Sequence, residues 1–539
     1  MWWKHSVVYE IYPRSFKDSN NDGIGDINGI ISKLDYLEYL GINVIWLCPV
    51  YPTPNKDNGY DISDYMNINP EFGTLDAFNV LIKEAKKRGI NIMMDIVANH
   101  TSSDHKWFKE AKKSRDNTYH NYYVFKDSGD APPSDLQSIF LNSAWTYNKE
   151  TKEYYLHMFD EDQPDLNWHY QPVREEIYKM LQYWIDLGIK GFRFDVIDLI
   201  AKEIDDNIIG DGPLLHEYIK EMSKKVLKKA HLITVGEAWG ATPEKAKMYS
   251  NPDQSEFSMI FNFQHSLLDQ EPDKEKWDLK ELDLLDLKKV FNEQQTELYN
   301  KGWNSLFWNN HDLPRIVSRW GNDQHYHIES AKMLATLLHF MQGTPYIYQG
   351  EEIGMTNNVF ESIEDYRDIE TLNMIKDRLN KDIDMKDILE SIRVKGRDNA
   401  RTPFQWNESK YAGFSEHKPW IEVNQNYKTI NAEQQMSDKN SILEHYRKLI
   451  SFRRKSNYKE IIEKGSFKMM FNDSNQIFAY ERQYFDQKII VLCNFYSNSL
   501  QLPREFTYNE VICNNYEVTQ KKVSKLRPYE SIVLDVSNQ

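Results

Sequence analysis

The sequence predicts an α/β protein built on a closed (β/α)8 TIM barrel, and three observations lead to that prediction. Short apolar runs alternate with helix-like segments, and this alternation favours a parallel sheet. The runs number eight, which is typical of a closed barrel. No glycine-rich phosphate loop follows the first run, so the structural alternative, a doubly wound open sheet, lacks its signature. The candidate strands are 7–13, 43–50, 91–100, 191–199, 232–239, 258–263, 303–312 and 344–352.

Helix-like segments separate these strands. Apolar residues recur every three or four positions in 27–40, 75–88, 173–188, 213–230 and 327–343. That period indicates helices with one buried face. Each segment directly precedes a strand, as the crossover connections of a parallel sheet require.

Three regions depart from this rhythm. About 70 residues follow the third strand, which is too long for a bare loop, and they contain short alternating runs. We therefore expect a small inserted domain at 104–172, with the barrel occupying 1–103 and 173–466. The stretch at about 353–400 is charged and helix-like, which predicts a helical insertion. From 467 to 539 the short alternating runs predict a C-terminal antiparallel β-sandwich domain.

Composition excludes several classes of partner. The net charge of −16 disfavours nucleic acid and anionic membranes. Three cysteines (Cys48, Cys493 and Cys513) are too few for a disulfide framework, so we expect free buried thiols in a reducing compartment. The N-terminus does not resemble a signal peptide, and no run of 18 apolar residues occurs. We expect a cytoplasmic monomer with a small-molecule partner.

Polar residues collect where the predicted strands end. Arg193 and Asp195 are spaced i, i+2, so both point to one face of a strand that is otherwise apolar. A single aspartate at a strand end more often caps a helix. Convergence of many such groups on one barrel mouth favours a functional site instead. The other members are Tyr60, Asp61, Asp95, Asn99, His100, Glu237, His311 and Asp312.

The available side chains limit the chemistry. The sequence has no HExxH, CxxC or GxSxG motif, which disfavours zinc and serine hydrolases. Paired carboxylates suit cleavage of a glycosidic bond. Asp195 is the candidate nucleophile, and the charge of Arg193 should lower its pKa. Glu237 lies in the apolar stretch "VGEAWG", so we expect it to stay protonated and act as acid and then base.

Five motifs carry a resemblance to a known family. The stretches "DIVANH" (95–100), "GFRFDVIDL" (191–199), "GEAW" (236–239) and "NNHD" (309–312) resemble the four signature regions of the α-amylase family, glycoside hydrolase family 13. The stretch "QPDLN" (163–167) resembles the additional signature of its oligo-1,6-glucosidase subgroup. The resemblance covers essentially the whole chain and is specific.

The resemblance implies an exo-acting, retaining α-glucosidase that works through a covalent glucosyl-enzyme intermediate. It implies that Asp195 is the nucleophile, Glu237 the acid and base, and Asp312 the carboxylate that stabilises the transition state. It implies α-1,6-linked isomalto-oligosaccharides or dextran-derived glucans as substrates. The substrate-binding residues implied are His100, Arg193 and His311 around the cleaved sugar, Tyr60 for stacking, and Asp61 with Arg401 as a clamp on the non-reducing end.

Val196 bears on the linkage. In similar enzymes, valine after the nucleophile accompanies α-1,6 bonds, and alanine or threonine accompanies α-1,4 bonds. Read in isolation, Val196 is equally consistent with a plain core position. A trehalose-6-phosphate hydrolase and then an α-1,4-glucosidase remain alternatives. A non-catalytic, transporter-associated relative is disfavoured, because all three carboxylates are present.

The stretch "DSNNDGIGD" (18–26) begins like a calcium loop. Position 12 of an EF-hand would be Gly29 instead of glutamate, so it is not an EF-hand. Alternating oxygen ligands still suit a hard cation, although a turn rich in Asp and Asn is the simpler alternative. The resemblance implies one structural Ca²⁺ and no organic cofactor. Its implied ligands are Asp18, Asn20, Asp22, the Ile24 carbonyl and Asp26.

Overall fold

Strands and helices alternate along the first two thirds of the computed structural model, which describes residues 1–140, 142–518 and 522–537. In chain order the strands are β1 (Val8–Ile11), β2 (Val44–Leu47), β3 (Asn91–Val97), β4 (Phe125–Lys126), β5 (Trp145–Asn148), β6 (Glu153–Leu156), β7 (Gly191–Asp195), β8 (Ile233–Ala238), β9 (Met259–Asn262), β10 (Ser305–Leu306), β11 (Thr344–Tyr348), β12 (Ser466–Met470), β13 (Ile477–Tyr484), β14 (Gln487–Asn494), β15 (Leu500–Thr507), β16 (Glu510–Asn514), β17 (Lys522–Leu526) and β18 (Ser531–Asp535).

Most α-helices cover the outside of the barrel. Others lie in the inserted region and in the part of the chain that follows β11. In chain order the helices are α1 (Ile27–Ser32), α2 (Leu34–Leu40), α3 (Leu75–Lys87), α4 (Lys106–Ala111), α5 (Gln171–Leu187), α6 (Leu215–Met222), α7 (Pro243–Tyr249), α8 (Leu284–Glu297), α9 (Ile316–Arg319), α10 (His327–His339), α11 (Ile369–Asn380), α12 (Met385–Lys395), α13 (Asp398–Arg401), α14 (Ala432–Ser437), α15 (Ile442–Lys455) and α16 (Lys459–Lys464). Local sequence sets several of their ends. Thr74 caps α3 by accepting from the Ala77 nitrogen, and Gly188 ends α5 in the left-handed region.

Eight parallel strands form the predicted barrel. Their order is β10-β11-β1-β2-β3-β7-β8-β9. A parallel bridge between Ile260 and Asn304 joins the two ends of this order and closes the sheet. The closed (β/α)8 barrel is therefore confirmed, and the C-terminal ends of its strands meet at one mouth.

Two buried clusters explain the apolar composition of the strands. One lies inside the barrel and includes Val8, Trp46 and Val235. The other lies between strands and helices and includes Phe192 and Phe194 of β7. The alternation of β7 thus sends its aromatic side chains outward and its charged side chains inward. The register places Arg193 beside Asp95 of β3.

A three-stranded antiparallel sheet, in the order β4-β6-β5, lies within the inserted region after β3. Lys202 ties it to the barrel. The Lys202 ammonium lies 2.7 Å from Asp165 Oδ2, 2.5 Å from Asn99 Oδ1 and 2.6 Å from the Leu199 carbonyl. One buried cation therefore joins the insertion to the loops after β3 and β7.

The C-terminal region contains a five-stranded antiparallel sheet, β12-β13-β14-β18-β16, and a two-stranded sheet, β15-β17. Side chains of both sheets, among them Ile477, Leu502 and Leu526, share one buried cluster. The sequence did not reveal β15 and β17, because their alternation is broken by charged and exposed residues. Residues 519–521 and 538–539 of the predicted domain at 467–539 lie outside the described residues.

Candidate active site

A cavity of about 380 Å³ opens at the mouth of the barrel and gathers most of the predicted residues. Asp195 follows from β7, Glu237 from β8 and Asp312 from the segment after β10. Aromatic, apolar and charged side chains complete the wall. The lining residues are Asp57, Tyr60, His100, Ile139, Phe140, Phe159, Asp195, Val196, Asp198, Leu199, Glu237, Trp239, Lys276, Asp312, Glu370 and Arg397.

Arg193 lies beneath the cavity and contacts three carboxylates. Its Nη1 is 2.8 Å from Asp95 Oδ1 and 2.7 Å from Asp195 Oδ1, and its Nη2 donates to Glu237. Burial raises the pKa of Asp195 and outweighs the lowering effect of Arg193, while Glu237 and Asp95 raise it further. Arg193 therefore lowers the pKa of Asp195, as predicted, but in the free protein burial raises that pKa by more than Arg193 lowers it.

The surroundings of Glu237 differ from the apolar environment that we expected. Its Oε2 accepts from Arg193 and from the Val196 backbone nitrogen at 3.2 Å, and its Oε1 accepts from the Trp239 indole at 3.1 Å. All three are donors, so this prediction was wrong about the environment. The neighbouring sequence is apolar, but tertiary contacts bring polar groups to the carboxylate.

Val196 has an unusual backbone conformation for a β-branched residue. Its φ of 35° and ψ of 47° lie in the left-handed region, which costs such residues free energy. This conformation ends β7 and turns the Val196 N–H toward Glu237. Val196 therefore connects the end of β7, which carries the candidate nucleophile Asp195, to the candidate acid Glu237. Its side chain lines the cavity.

Asp312 is surrounded by positive charge. Its Oδ1 lies 2.7 Å from Arg401 and 3.3 Å from Arg397, and its Oδ2 lies 3.3 Å from His311 Nε2. Burial alone would raise the pKa of Asp312, but His311, Arg397 and Arg401 together bring it well below its usual range. Asp312 is consequently an anion in the cavity, which is also lined by Asp195, a carboxyl group whose pKa is raised.

Tyr60, His100 and His311 form one packed group. The rings of Tyr60 and His311 stack with centroids 5.2 Å apart, and the Tyr60 hydroxyl donates to Asp95 at 2.9 Å. Burial lowers the pKa of His100 to about 4, so its imidazole is neutral. Tyr60 and His100 line the cavity, whereas His311 lies behind it, against Asp312.

The predicted clamp of Asp61 and Arg401 is not formed. The Asp61 carboxylate accepts from the backbone nitrogens of Lys56 and Asp57, at 2.9 and 3.1 Å, and stabilises its own loop. Arg401 instead contacts Asp312. This prediction was wrong because, within one short loop, sequence alone does not indicate which carboxylate faces the cavity.

Asp57 and Arg397, each four residues before a predicted clamp residue, line the cavity in place of Asp61 and Arg401. Arg397 Nη2 lies 3.4 Å from Asp57 Oδ1, and both side chains line the cavity. Burial raises the pKa of Asp57 to about 7, although Arg397 lowers it. The stretch "DNGYD" holds two aspartates and "GRDNAR" holds two arginines. The sequence therefore identified the two segments but not which aspartate and which arginine face the cavity.

Other lining residues carried no usable signal in the sequence. Lys276 forms an ion pair with Glu370, and the two come from distant segments. Burial, followed by Asp211 and Glu237, raises the pKa of Asp198 to about 7. The Trp239 ring stacks on Phe263. Only the fold brings these groups to the cavity, since their spacing along the chain is irregular.

The loop at 18–26 is closed by its own hydrogen bonds. Asp18 accepts from the backbone nitrogens of Asn20, Asn21 and Gly23, and from Ser415. Asp26 accepts from Ser19 and Gly29. The side chains of Asn20 and Asp22 remain exposed. The donor set of carboxylates, an amide and a carbonyl fits a hard cation, although Asp18 and Asp26 already have partners.

Among the described residues, no helix combines the length and the apolar character needed to cross a bilayer. The predicted cytoplasmic location and monomeric state stay predictions. All three cysteines are buried and free of disulfide bonds.

Known proteins match over the whole chain. The model of the alpha amylase catalytic domain matches residues 10–465. An oligo-1,6-glucosidase of Bacillus cereus is 49% identical, and a glucan 1,6-alpha-glucosidase of Streptococcus pneumoniae is also 49% identical; each match covers 99% of both chains. The crystal structure of the Bacillus licheniformis trehalose-6-phosphate hydrolase superposes with a TM-score of 0.93 at 45% identity, covering 100% of both chains.

Proposed function

The chain belongs to the α-amylase family, and on that premise we propose that it is an exo-acting, retaining α-glucosidase that releases glucose from α-1,6-linked isomalto-oligosaccharides. Relatives named oligo-1,6-glucosidase and glucan 1,6-alpha-glucosidase identify the chain as a glycoside hydrolase. The observation that carries the proposal is the placement of Asp195 and Glu237 on one guanidinium, that of Arg193, at the cavity.

In the proposed reaction, Asp195 attacks the anomeric carbon as an ionised carboxylate, while Glu237 carries the proton and donates it to the leaving oxygen. This step forms a glucosyl ester on Asp195 and releases the shortened oligosaccharide. Glu237 then takes a proton from water, which attacks the same carbon, so that Asp195 leaves and the α-configuration is retained. Asp312 is an anion throughout, and it would accept hydrogen bonds from sugar hydroxyls.

We assign the clamp on the non-reducing end to Asp57 and Arg397. Both are buried side chains of the cavity wall, and hydrogen bonds between the charged Arg397 guanidinium and sugar hydroxyls are strong. A sugar held by such a pair cannot extend past it. The enzyme would therefore remove one glucose at a time.

The α-1,6 preference is supported by Val196 and by the names of the relatives. The branched side chain stands in the cavity wall on a strained backbone, so it has little freedom to move aside. The lining cations favour this substrate over trehalose-6-phosphate, because Lys276 is paired with Glu370, and Arg397 with Asp57 and Asp312. Both cations therefore already have carboxylate partners in the free protein.

Glucose release from isomaltotriose, maltotriose and trehalose-6-phosphate, measured side by side with purified protein, tests the proposal. We expect isomaltotriose to have the highest kcat/KM. The variant Val196→Thr should lower the ratio of isomaltotriose to maltotriose turnover by about tenfold, since one group in a cavity wall discriminates by that order. Highest activity on trehalose-6-phosphate would contradict the substrate assignment.

We also propose that the loop at 18–26 binds one structural Ca²⁺ through Asp18, Asn20, Asp22, the Ile24 carbonyl and Asp26. The ion would stabilise the loop that precedes α1, far from the reacting atoms. Adding Ca²⁺ to protein treated with a chelator should raise Tm by several degrees, because ligands that bind only the native state stabilise it. Unchanged Tm at millimolar Ca²⁺ would favour the simple turn.

A further inference from the structure

Glu10 is a buried carboxylate behind the candidate active site, and the proposed reaction does not use it. It lies on β1 and is 1% exposed. Its Oε1 lies 2.6 Å from His311 Nδ1 and 3.4 Å from the His311 backbone nitrogen. The thiol of Cys48 donates to the same oxygen at 3.4 Å. The imidazole is therefore the nearest partner of this carboxylate.

Aromatic rings hold His311 in place. The Tyr60 ring stacks on it at 5.2 Å, the Tyr12 ring is also parallel at 6.3 Å, and Trp46 presents its edge at 6.0 Å. Within the described part of the chain, His311 Nε2 makes no hydrogen bond. It lies 3.3 Å from Asp312 Oδ2 instead. The imidazole thus stands between two carboxylates, Glu10 and Asp312.

The contacts of the two ring nitrogens determine which protonation state of His311 is favoured. Glu10 accepts the Nδ1–H, so an unprotonated Nε2 would place a lone-pair nitrogen 3.3 Å from Asp312 Oδ2. A second proton on Nε2 turns that repulsion into a charge-assisted contact. Burial lowers the pKa of His311, but Asp312 and Glu10 outweigh burial and raise it above its ordinary value, against the opposing charge of Arg193.

Other groups near the imidazole do not replace these two carboxylates. Arg193 and Asp95 are paired with each other. Burial raises the pKa of Cys48 and Tyr60, and it raises that of Tyr12 to about 12, so these groups are neutral. The charged and titratable groups that face His311 are Glu10, Tyr12, Cys48, Tyr60, Asp95, Arg193, Asp312 and Arg401.

We propose that Glu10 is a positioning residue that keeps His311 protonated on both ring nitrogens, so that the Nε2–H holds the Asp312 carboxylate in place in the cavity. The role of this contact in turnover rests on the proposed function, in which Asp312 grips sugar hydroxyls. The charge state of His311 itself does not depend on any substrate. No bond is made or broken in this arrangement, and the proton stays on the imidazole.

NMR of the full-length protein, labelled with ¹³C at histidine Cε1, reports the charge state directly. The His311 resonance is assigned by its loss in His311→Gln. In the wild type its titration midpoint should lie above that of an ordinary histidine, which is about 6.5. Glu10→Gln keeps an acceptor for Nδ1–H but removes the charge, so the titration midpoint should fall by about one to three pH units. A neutral wild-type His311, or an unmoved midpoint in Glu10→Gln, overturns the proposal.

Two further variants complete the test. Glu256→Gln makes the same change at another buried glutamate that is paired with a histidine, 2.8 Å from His216 Nδ1, and it should leave the His311 midpoint unmoved. Asp312→Asn removes the second carboxylate and should lower the midpoint, which keeps the test decisive if Glu10→Gln does not fold. An Asp312→Asn midpoint equal to that of the wild type would also overturn the proposal.

Kinetics separate positioning from general damage. With 4-nitrophenyl α-glucoside, the kcat/KM of Glu10→Gln should fall more at pH 8 than at pH 6, because His311 loses its proton earlier. A purely structural defect would lower both values equally and would count against the proposal. The NMR result stands even if the protein fails to hydrolyse isomaltotriose, so failure of the proposed function remains distinguishable.

Discussion

At the scale of single residues, charge and burial act against each other around one guanidinium. Arg193 contacts Asp95, Asp195 and Glu237, yet burial still raises the pKa of Asp195. Asp312, with His311, Arg397 and Arg401 nearby, has its pKa depressed although burial acts to raise it. Two carboxylates in one cavity therefore differ in proton affinity because their partners differ in number and charge.

The corrected clamp gives a prediction at this scale. Asp57→Ala removes a cavity residue and should lower kcat/KM for isomaltotriose by about a hundredfold or more, with only a small change in Tm. Asp61→Ala leaves two loop nitrogens without their acceptor, so it should cost about 1–3 kcal/mol of stability. Steady-state kinetics and thermal unfolding measure both. A larger kinetic loss in Asp61→Ala than in Asp57→Ala would restore the original assignment.

At the scale of elements, one buried cation joins the inserted region to the barrel. The Lys202 side chain is nearly inaccessible and fills a site made of Asp165, Asn99 and the Leu199 carbonyl. Because Asn99 lies directly before His100, this contact also bears on a residue of the cavity wall. The position of the insertion over the mouth therefore depends on polar contacts as well as on apolar packing.

Replacement of Lys202 tests the strength of this joint. Lys202→Met leaves the buried Asp165 carboxylate without its cation and should destabilise the protein by about 3–5 kcal/mol. Lys126→Met, which breaks an exposed pair with Asp205, should cost less than about 1 kcal/mol. Urea unfolding and limited proteolysis of the insertion compare the two variants. Equal losses of unfolding free energy in the two variants would show that Lys202 does not stabilise the protein more than an exposed ion pair does.

At the scale of the whole molecule, several buried groups titrate far from their usual range. Burial is the main cause in each case. It raises the pKa of Asp57 and Asp198 to about 7 and that of Glu351 to about 8. It lowers the pKa of five histidines to about 3 or 4, namely His100, His105, His265, His339 and His445. The two sets act on stability in different pH windows.

The resulting pH dependence can be worked out from these directions. Between pH 8 and about 6.5 the native carboxyl groups bind protons that the unfolded chain does not, so stability should rise as the pH falls. Below about 6.5 the histidines of the unfolded chain bind protons that the native ones do not, so this gain should become smaller. Calorimetry across pH 5–9 should therefore show Tm rising as the pH falls from 8 to about 6.5, with a weaker dependence on pH below that.

One variant tests whether raised carboxyl pKa values cause this dependence of Tm on pH. Glu351→Gln removes a carboxyl group whose pKa burial raises to about 8, so the rise in Tm between pH 8 and 7 should become smaller. A Tm that rises steadily from pH 6 to 9 in the wild type would contradict the assignment of raised carboxyl pKa values. An unchanged profile in Glu351→Gln would exclude this residue as its source.

The sequence by itself determined the barrel, the order of its strands and the strand-end residues. Periodicity and strand length depend on neighbours along the chain, so residues such as Asp195, Glu237 and Asp312 could be placed at one mouth in advance. Only the tertiary structure decided that Asp57 and Arg397 face the cavity, that Val196 adopts a left-handed conformation, and that donors surround Glu237. Side-chain direction in loops and local charge balance depend on contacts between distant segments, and periodicity carries no information about those contacts.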